Sequence, residues 1–227
     1  MKGFVIQDET TTLQAVVNGA SIGRLGDGEV KLIQGHSAKS QEYDKRLATL
    51  MKEFVWSPGK VLCGVPTFDR NGPKWTSFWH AYERRFRPLM NPSVRYSSAF
   101  VSRPDSAPHI DCKTYWDLMR QLWKGKDIVL VRGSGKSLTK DRLDAEAASV
   151  HEILCPVRHA FSEFDSLCDE IRAIHGKRTV LLACGATATA LAYVLGNEGI
   201  HMVDLGHAGL WVGRREGQVA AEHGLNQ

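Results

Sequence analysis

The six residues Arg24-Leu25-Gly26-Asp27-Gly28-Glu29 hold two carboxylates one residue apart, each beside a glycine and behind an arginine. Carboxylates that alternate across an extended turn present hard oxygen ligands, and glycine lets a ligand or cation come close to the backbone. Oxygen ligands in this number suit Mg²⁺ or Mn²⁺ that is also coordinated by a substrate diphosphate. Spacing alone equally allows a solvated turn. A second stretch, Gly185-Ala186-Thr187-Ala188-Thr189, follows an apolar run and opens a helical one. Free amide groups and a helix dipole at such a junction make an anion site, although simple capping gives the same pattern. Gly133-Ser134-Gly135-Lys136-Ser137 resembles the end of a phosphate-binding Walker loop, but the first glycine of that motif falls on Leu130.

These residues need elements to hold them. A short helix is predicted over 10–18 and a strand over 20–25 that stops at Gly26. Helical spacing of Leu47, Leu50, Met51 and Phe54 sets a helix over 41–54, and a strand follows at 60–65. Residues 75–86 read as an amphipathic helix, 95–101 as a strand, 113–123 as a helix and 127–131 as a strand. Beyond the glycine-rich loop, the pattern predicts a polar helix over 138–150, a strand over 152–155, a helix over 162–175, a strand over 179–183, a helix running to Leu195 and a strand over 200–205. Alternating strands and helices imply one α/β, Rossmann-like domain over residues 1–227, with a mainly parallel sheet covered by helices. In such sheets ligands bind beyond the carboxyl ends of the strands. The loops at Gly26 to Glu29, Ser102 to Pro104, Gly133 to Ser137, Gly185 to Thr189 and Gly206 to His207 should therefore share one rim.

Four segments carry a resemblance to a known family. RLGDGE at 24–29 is similar to the signature of the GT-D fold glycosyltransferases. Ala99-Phe100-Val101-Ser102-Arg103-Pro104 resembles that family's Phe-Ile-Ser-Arg-Pro segment, residues 185–189 its Gly-Pro-Thr-Ala turn, and Asp204-Leu205-Gly206-His207 its Asp-Ile-Gly-His strand end. The order and wide separation agree over about residues 15–212. Two departures stand out: Ala186 replaces the family's proline, and residues 134–141 replace its Ser-Arg-x-Gly-x-Gly-Asn-Asp-like loop.

The resemblance implies inverting transfer of a hexose from a UDP-sugar, with Asp27 and Glu29 serving the metal that holds the donor diphosphate. A departing nucleoside diphosphate develops negative charge that a divalent cation neutralises, so no protein nucleophile is required. On this reading Arg24 and Arg103 contact donor phosphates through planar guanidinium groups, each with a structural ion pair as its alternative. Gly26, Gly185, Thr187 and Thr189 complete the donor site. A base must deprotonate the acceptor hydroxyl, and by motif the candidates are Asp204 and His207, either of which also suits a hydrogen-bonded place on the rim.

Composition narrows the partners. The 227 residues include 29 Lys and Arg against 25 Asp and Glu, interspersed, a formal charge of +4 that gives no reason to expect nucleic acid. Five cysteines at irregular spacing read as reduced core thiols. No stretch resembles a signal peptide or reaches the roughly 18 apolar residues that span a bilayer. The expectation is a cytoplasmic protein in bacterial surface-glycan assembly, acting on a glycan or lipid-linked glycan acceptor and compatible with a homo-oligomer. Arg84-Arg85-Phe86-Arg87 could touch the inner face of the membrane, and Trp75 or Trp79 could line an acceptor groove, with a solvated helix end and a core face as the respective alternatives. The rival functions are a P-loop-like kinase or NTPase working through Lys136 and Ser137, and a non-catalytic carbohydrate-binding protein.

Overall fold

The computed structural model of the chain describes residues 4–66, 82–103, 110–134, 138–174, 176–206 and 208. Among the described residues seven strands form one sheet: β1 Ile22–Arg24, β2 Leu62–Val65, β3 Ser97–Ser98, β4 Asp127–Gly133, β5 Ser149–Cys155, β6 Thr179–Ala183 and β7 Met202–Asp204. Their order is β3-β2-β1-β7-β6-β4-β5, and every described strand pair is parallel. The helices are α1 Glu9–Val17, α2 Asp27–Ile33, α3 Lys45–Trp56, α4 Cys112–Arg120, α5 Lys140–Asp144, α6 Phe164–Ile174 and α7 Ala186–Asn197, with a further helical stretch at 82–86.

Side-chain alternation along the strands divides the interior into two cores. Val129, Val131, Val180, Leu182 and Met202 point to the face covered by α2, α3, α6 and α7. Ile128, Leu130, Leu181 and Val203 point to the opposite face, where Leu13 and Val16 of α1 and Tyr115, Trp116 and Met119 of α4 meet them. Strands buried on both faces read as continuous apolar runs, which is why β4 and β6 were legible in sequence. Helix α7 packs on β1 and β7. A Cβ on Gly23 would stand 3.0 Å from the Phe54 ring and 3.3 Å from the Thr189 carbonyl, so glycine there lets α3 and α7 seat together over β1.

Three expectations change. The carboxylates at 27 and 29 lie in the first turn of α2 and not in an extended turn, because Glu29 Oε2 accepts the Gly26 amide at 2.7 Å and caps the helix start. Of the strand expected over 95–101, only Ser97–Ser98 joins the sheet, while Tyr96 forms an isolated parallel bridge to Ile6. The Ser98 hydroxyl accepts the Phe100 amide at 3.1 Å and turns the chain into a 3-10 helix, Ala99–Ser102. The helix expected over 138–150 shrinks to α5, because Ser149 onward joins the sheet and pairs with β4 over its whole length. Leu130 sits buried inside β4, so the strand occupies the place where a Walker loop would begin. Residues 75–81, Gly135, Lys136 and Ser137 lie outside the described residues, and with them the readings placed on Trp75, Trp79 and the Lys-Ser pair.

Candidate active site

A cleft of about 690 Å³ opens at the carboxyl ends of the strands. It is lined by Gly26, Asp27 and Glu29 after β1, Arg103 after β3, Gly185 after β6, and Asp204 and Gly206 at the end of β7. Four of the five loops expected to share a rim thus contribute to one space, which spans the β1/β7 pair where the two halves of the sheet meet.

The cleft is framed by Arg24. Its side chain is 13% exposed, and it donates from Nε to the Asp204 carbonyl at 2.7 Å, from Nη2 to Asp204 Oδ1 at 2.9 Å and from Nη1 to the Ala99 carbonyl at 3.3 Å and to the Ser102 hydroxyl. Asp204 is buried. Its Oδ1 also accepts the Gly206 amide at 3.0 Å, and its Oδ2 accepts the Arg24 amide at 3.2 Å. Arg24 and Asp204 therefore bind each other and lock the ends of β1, β7 and the turn after β3. Two glycines make room for this pair. A Cβ on Gly206, whose φ is +44°, would collide with the Arg24 guanidinium at 1.8 Å, and one on Gly64 would press the Arg24 stem at 3.1 Å.

The two carboxylates of α2 differ. Asp27 is exposed, with Lys31 at 3.4 Å one turn on, a spacing and exposure that give a weak pair. Glu29 lies deeper. Burial is the largest influence on its carboxyl and raises the pKa above the ordinary value; the Gly26 amide pulls it down, and the Asp204 carboxylate adds to the rise. Among the described residues no group of three or more His, Cys, Asp or Glu gathers to hold a metal ion. Asp27 and Glu29 both line the cleft, and Mg²⁺ or Mn²⁺ retains waters and takes ligands from substrate phosphates alongside one or two protein carboxylates.

Gly185 caps α7 with φ +62° and ψ −143°, a conformation essentially restricted to glycine, and it turns the amide end of the helix toward the cleft. Thr187 and Thr189 lie within the helix and are buried. The Thr189 hydroxyl donates to the Arg24 carbonyl at 2.7 Å and so braces β1, whereas the Thr187 hydroxyl has no hydrogen-bond partner among the described residues. Arg103 is half-buried at the cleft edge, and His207 lies outside the described residues.

Sequence reasoning missed one wall. Lys39 and Ser40, between α2 and α3, and Val157 and Arg158, after β5, also line the cleft. Arg158 follows a strand end and the rim rule could have found it. Lys39 sits in a connection between two helices, where no positional rule points.

Comparison with known proteins places this geometry. Residues 22–210 match the family described as Glycosyltransferase GT-D fold. The chain is 32% identical over 210 residues to the protein named Glycosyltransferase GlyD of Streptococcus pneumoniae serotype 4, covering 86% of this chain and 26% of that protein. It is 32% identical over 202 residues to the probable glycosyl transferase Gly of Streptococcus gordonii, covering 83% of this chain and 30% of that one. The chain thus spans less than a third of either curated relative. Among solved structures, a domain of unknown function 1792 described as having a distinct glycosyltransferase fold superposes with a TM-score of 0.80 at 27% identity, over 91% of this chain and 79% of that one. A new glycosyltransferase of the same domain type from Streptococcus sanguinis gives a TM-score of 0.80 at 26% identity, over 91% and 82%. With its family match spanning the cleft from β1 to the residues just beyond β7, this chain belongs to the GT-D fold glycosyltransferase family.

Proposed function

We propose that this chain is a metal-dependent glycosyltransferase that takes a hexose from a UDP-sugar and passes it, with inversion, to a hydroxyl of a glycan or lipid-linked glycan. The observation that carries the reading is the convergence of Asp27 and Glu29 with the amide end of α7 on one cleft. Carboxylates for a cation and helix amides for an anion are what a metal-bound diphosphate needs, and the cleft volume is ordinary for a small-molecule site. Family membership supports the reaction class; the UDP donor and the inversion rest on the resemblance of the motifs.

Asp27 and Glu29 would hold the cation, and when bound it would neutralise charge on the departing diphosphate. The remaining work belongs to the chain. Amides at Gly185 and Ala186 and the guanidinium of Arg103 orient the donor phosphates. Asp204 has accepted three N–H donors and lies buried, an arrangement suited to positioning Arg24 and the Gly206 turn. Of the two candidate bases, Asp204 and His207, the proton-accepting role then falls to His207. The setting we favour is bacterial surface-glycan assembly, and among the described residues no helix is long and apolar enough to cross a membrane.

The test is release of UDP from a panel of UDP-sugars in Mn²⁺, Mg²⁺ or EDTA, comparing wild type with Asp27→Asn and Glu29→Gln. One donor should turn over only with metal, and each variant should lose about a hundredfold or more. Glu29→Gln keeps an oxygen for the Gly26 amide and removes a carboxylate that burial disfavours, so its Tm at neutral pH should hold or rise while activity is lost. Turnover unaffected by EDTA would remove the metal from the proposal, and absence of both turnover and UDP binding would remove the donor.

A further inference from the structure

The segment 38–40 links the two halves of the cleft. A Cβ on Gly28, in the first turn of α2, would lie 3.6 Å from the Ala38 methyl, and one on Gly185, at the start of α7, would lie 3.5 Å from the Ser40 hydroxyl. The amide ends of both helices therefore abut this one short segment. The loop after β5 holds it there. The His159 amide donates to the Ser40 carbonyl at 2.8 Å, Arg158 Nη2 donates to the Lys39 carbonyl at 3.1 Å, and the Phe161 amide donates to the Gln41 side chain at 3.3 Å.

His159 is the one described non-glycine residue with positive φ, at 58°. A left-handed conformation is disfavoured for a residue that carries a Cβ. His159 Nδ1 also accepts the Glu42 amide at 3.0 Å, so the strained residue clasps both loops and sets the direction of the neighbouring Arg158.

Two cations of the cleft sit in ion pairs. Arg24 is paired with Asp204, and Lys31 with Asp27. Lys39 and Arg158 line the cleft as exposed cations, and neither has a carboxylate within ion-pair distance among the described residues. Uncompensated cations held by a strained clasp, beside a helix amide end whose first turn carries the Thr187 hydroxyl, unpartnered among the described residues, call for an anion.

We propose that Lys39 and Arg158 form a phosphate-binding wall of the cleft, acting with the amide end of α7 on a diphosphate-class anion. This rests on the proposed function for the source of the anion and not for the existence of the wall. The chemistry is shared by a donor diphosphate and by a phosphate on the acceptor.

Calorimetric titration separates these sources. Inorganic pyrophosphate, UDP and uridine, each with Mg²⁺, are titrated into wild type, Lys39→Gln, Arg158→Gln and the double variant. Each single variant should weaken pyrophosphate binding about five- to tenfold and the double variant about fiftyfold, with smaller effects at high salt. Uridine binding should not move, and thermal unfolding of these surface variants should stay close to wild type. A parallel fall in UDP affinity assigns the wall to the donor diphosphate; unchanged UDP affinity with weakened pyrophosphate binding assigns it to the acceptor. Pyrophosphate binding that is absent in wild type, or equal in wild type and the double variant, overturns the wall. Donor turnover by wild type is read separately, so loss of this inference and loss of the glycosyltransferase reading give different results.

Discussion

Arg24 carries two readings in sequence, a phosphate contact and a structural ion pair, and the structure holds it in the ion pair with Asp204. In sequence it precedes the carboxylates and suits a phosphate; in the structure its donors go to Asp204, Ala99 and Ser102, and the pair is nearly closed to solvent. Removing one partner of a buried ion pair leaves the other charge uncompensated, a loss of about 3–5 kcal/mol. Arg24→Ala should therefore destabilise the protein by about that amount in urea unfolding. Arg24→Lys should recover little of it, because a single ammonium cannot reach three directions of acceptor at once. A loss below about 1 kcal/mol for Arg24→Ala would show that the network contributes little and would return Arg24 to the ligand. No spacing rule could have told the two roles apart, since the partners of Arg24 lie 75 to 180 positions away.

At the scale of elements, sequence located most of the sheet and misjudged how some strands end. Residues 179–183 form β6 as expected, because a strand buried on both faces shows as an uninterrupted apolar run. Short strands fixed by side-chain hydrogen bonds do not show in that way. β3 stops where the Ser98 hydroxyl captures the Phe100 amide, and β1 hands over to α2 where Glu29 reaches back to Gly26, both through contacts that periodicity does not encode. The amino ends of the central strands have their own device. His201, just before β7, is within 3.1 Å of the Val16 carbonyl through Nε2 and of the Thr179 hydroxyl through Nδ1, tying α1 to β6 and β7. Burial is the main cause that lowers its pKa below the ordinary 6.5. The unfolded chain then takes up a proton near pH 6.5 while the folded one does not, so stability is full above that pH and falls as pH drops toward the lowered value. His201→Gln should flatten the fall in Tm between neutral pH and about pH 5. A wild-type acid limb left unchanged by the substitution would assign that fall to other groups.

At the scale of the whole molecule, the cleft belongs to no single element. Its walls come from both halves of the sheet and from the 38–40 segment between two helices, so a ligand bridging α2 and α7 holds the halves together. The chain spans 26% and 30% of its two curated relatives, and what those longer proteins do as wholes is a separate matter from what this cleft can bind. Binding to the folded state alone stabilises it by mass action, about 2.7 kcal/mol at a ligand concentration a hundred times Kd. For a chain of this length that corresponds to a rise in Tm of roughly 5–10 °C. UDP with Mn²⁺ should produce such a rise, UDP in EDTA much less, and Mn²⁺ alone little, because two carboxylates without a diphosphate form an incomplete shell. The same UDP and Mn²⁺ addition should leave Asp27→Asn nearly unmoved. A full rise in EDTA would mean that the amide end of α7 and the cationic wall bind the diphosphate without a metal, and would shift the carboxylates of α2 from the donor to the acceptor side of the cleft.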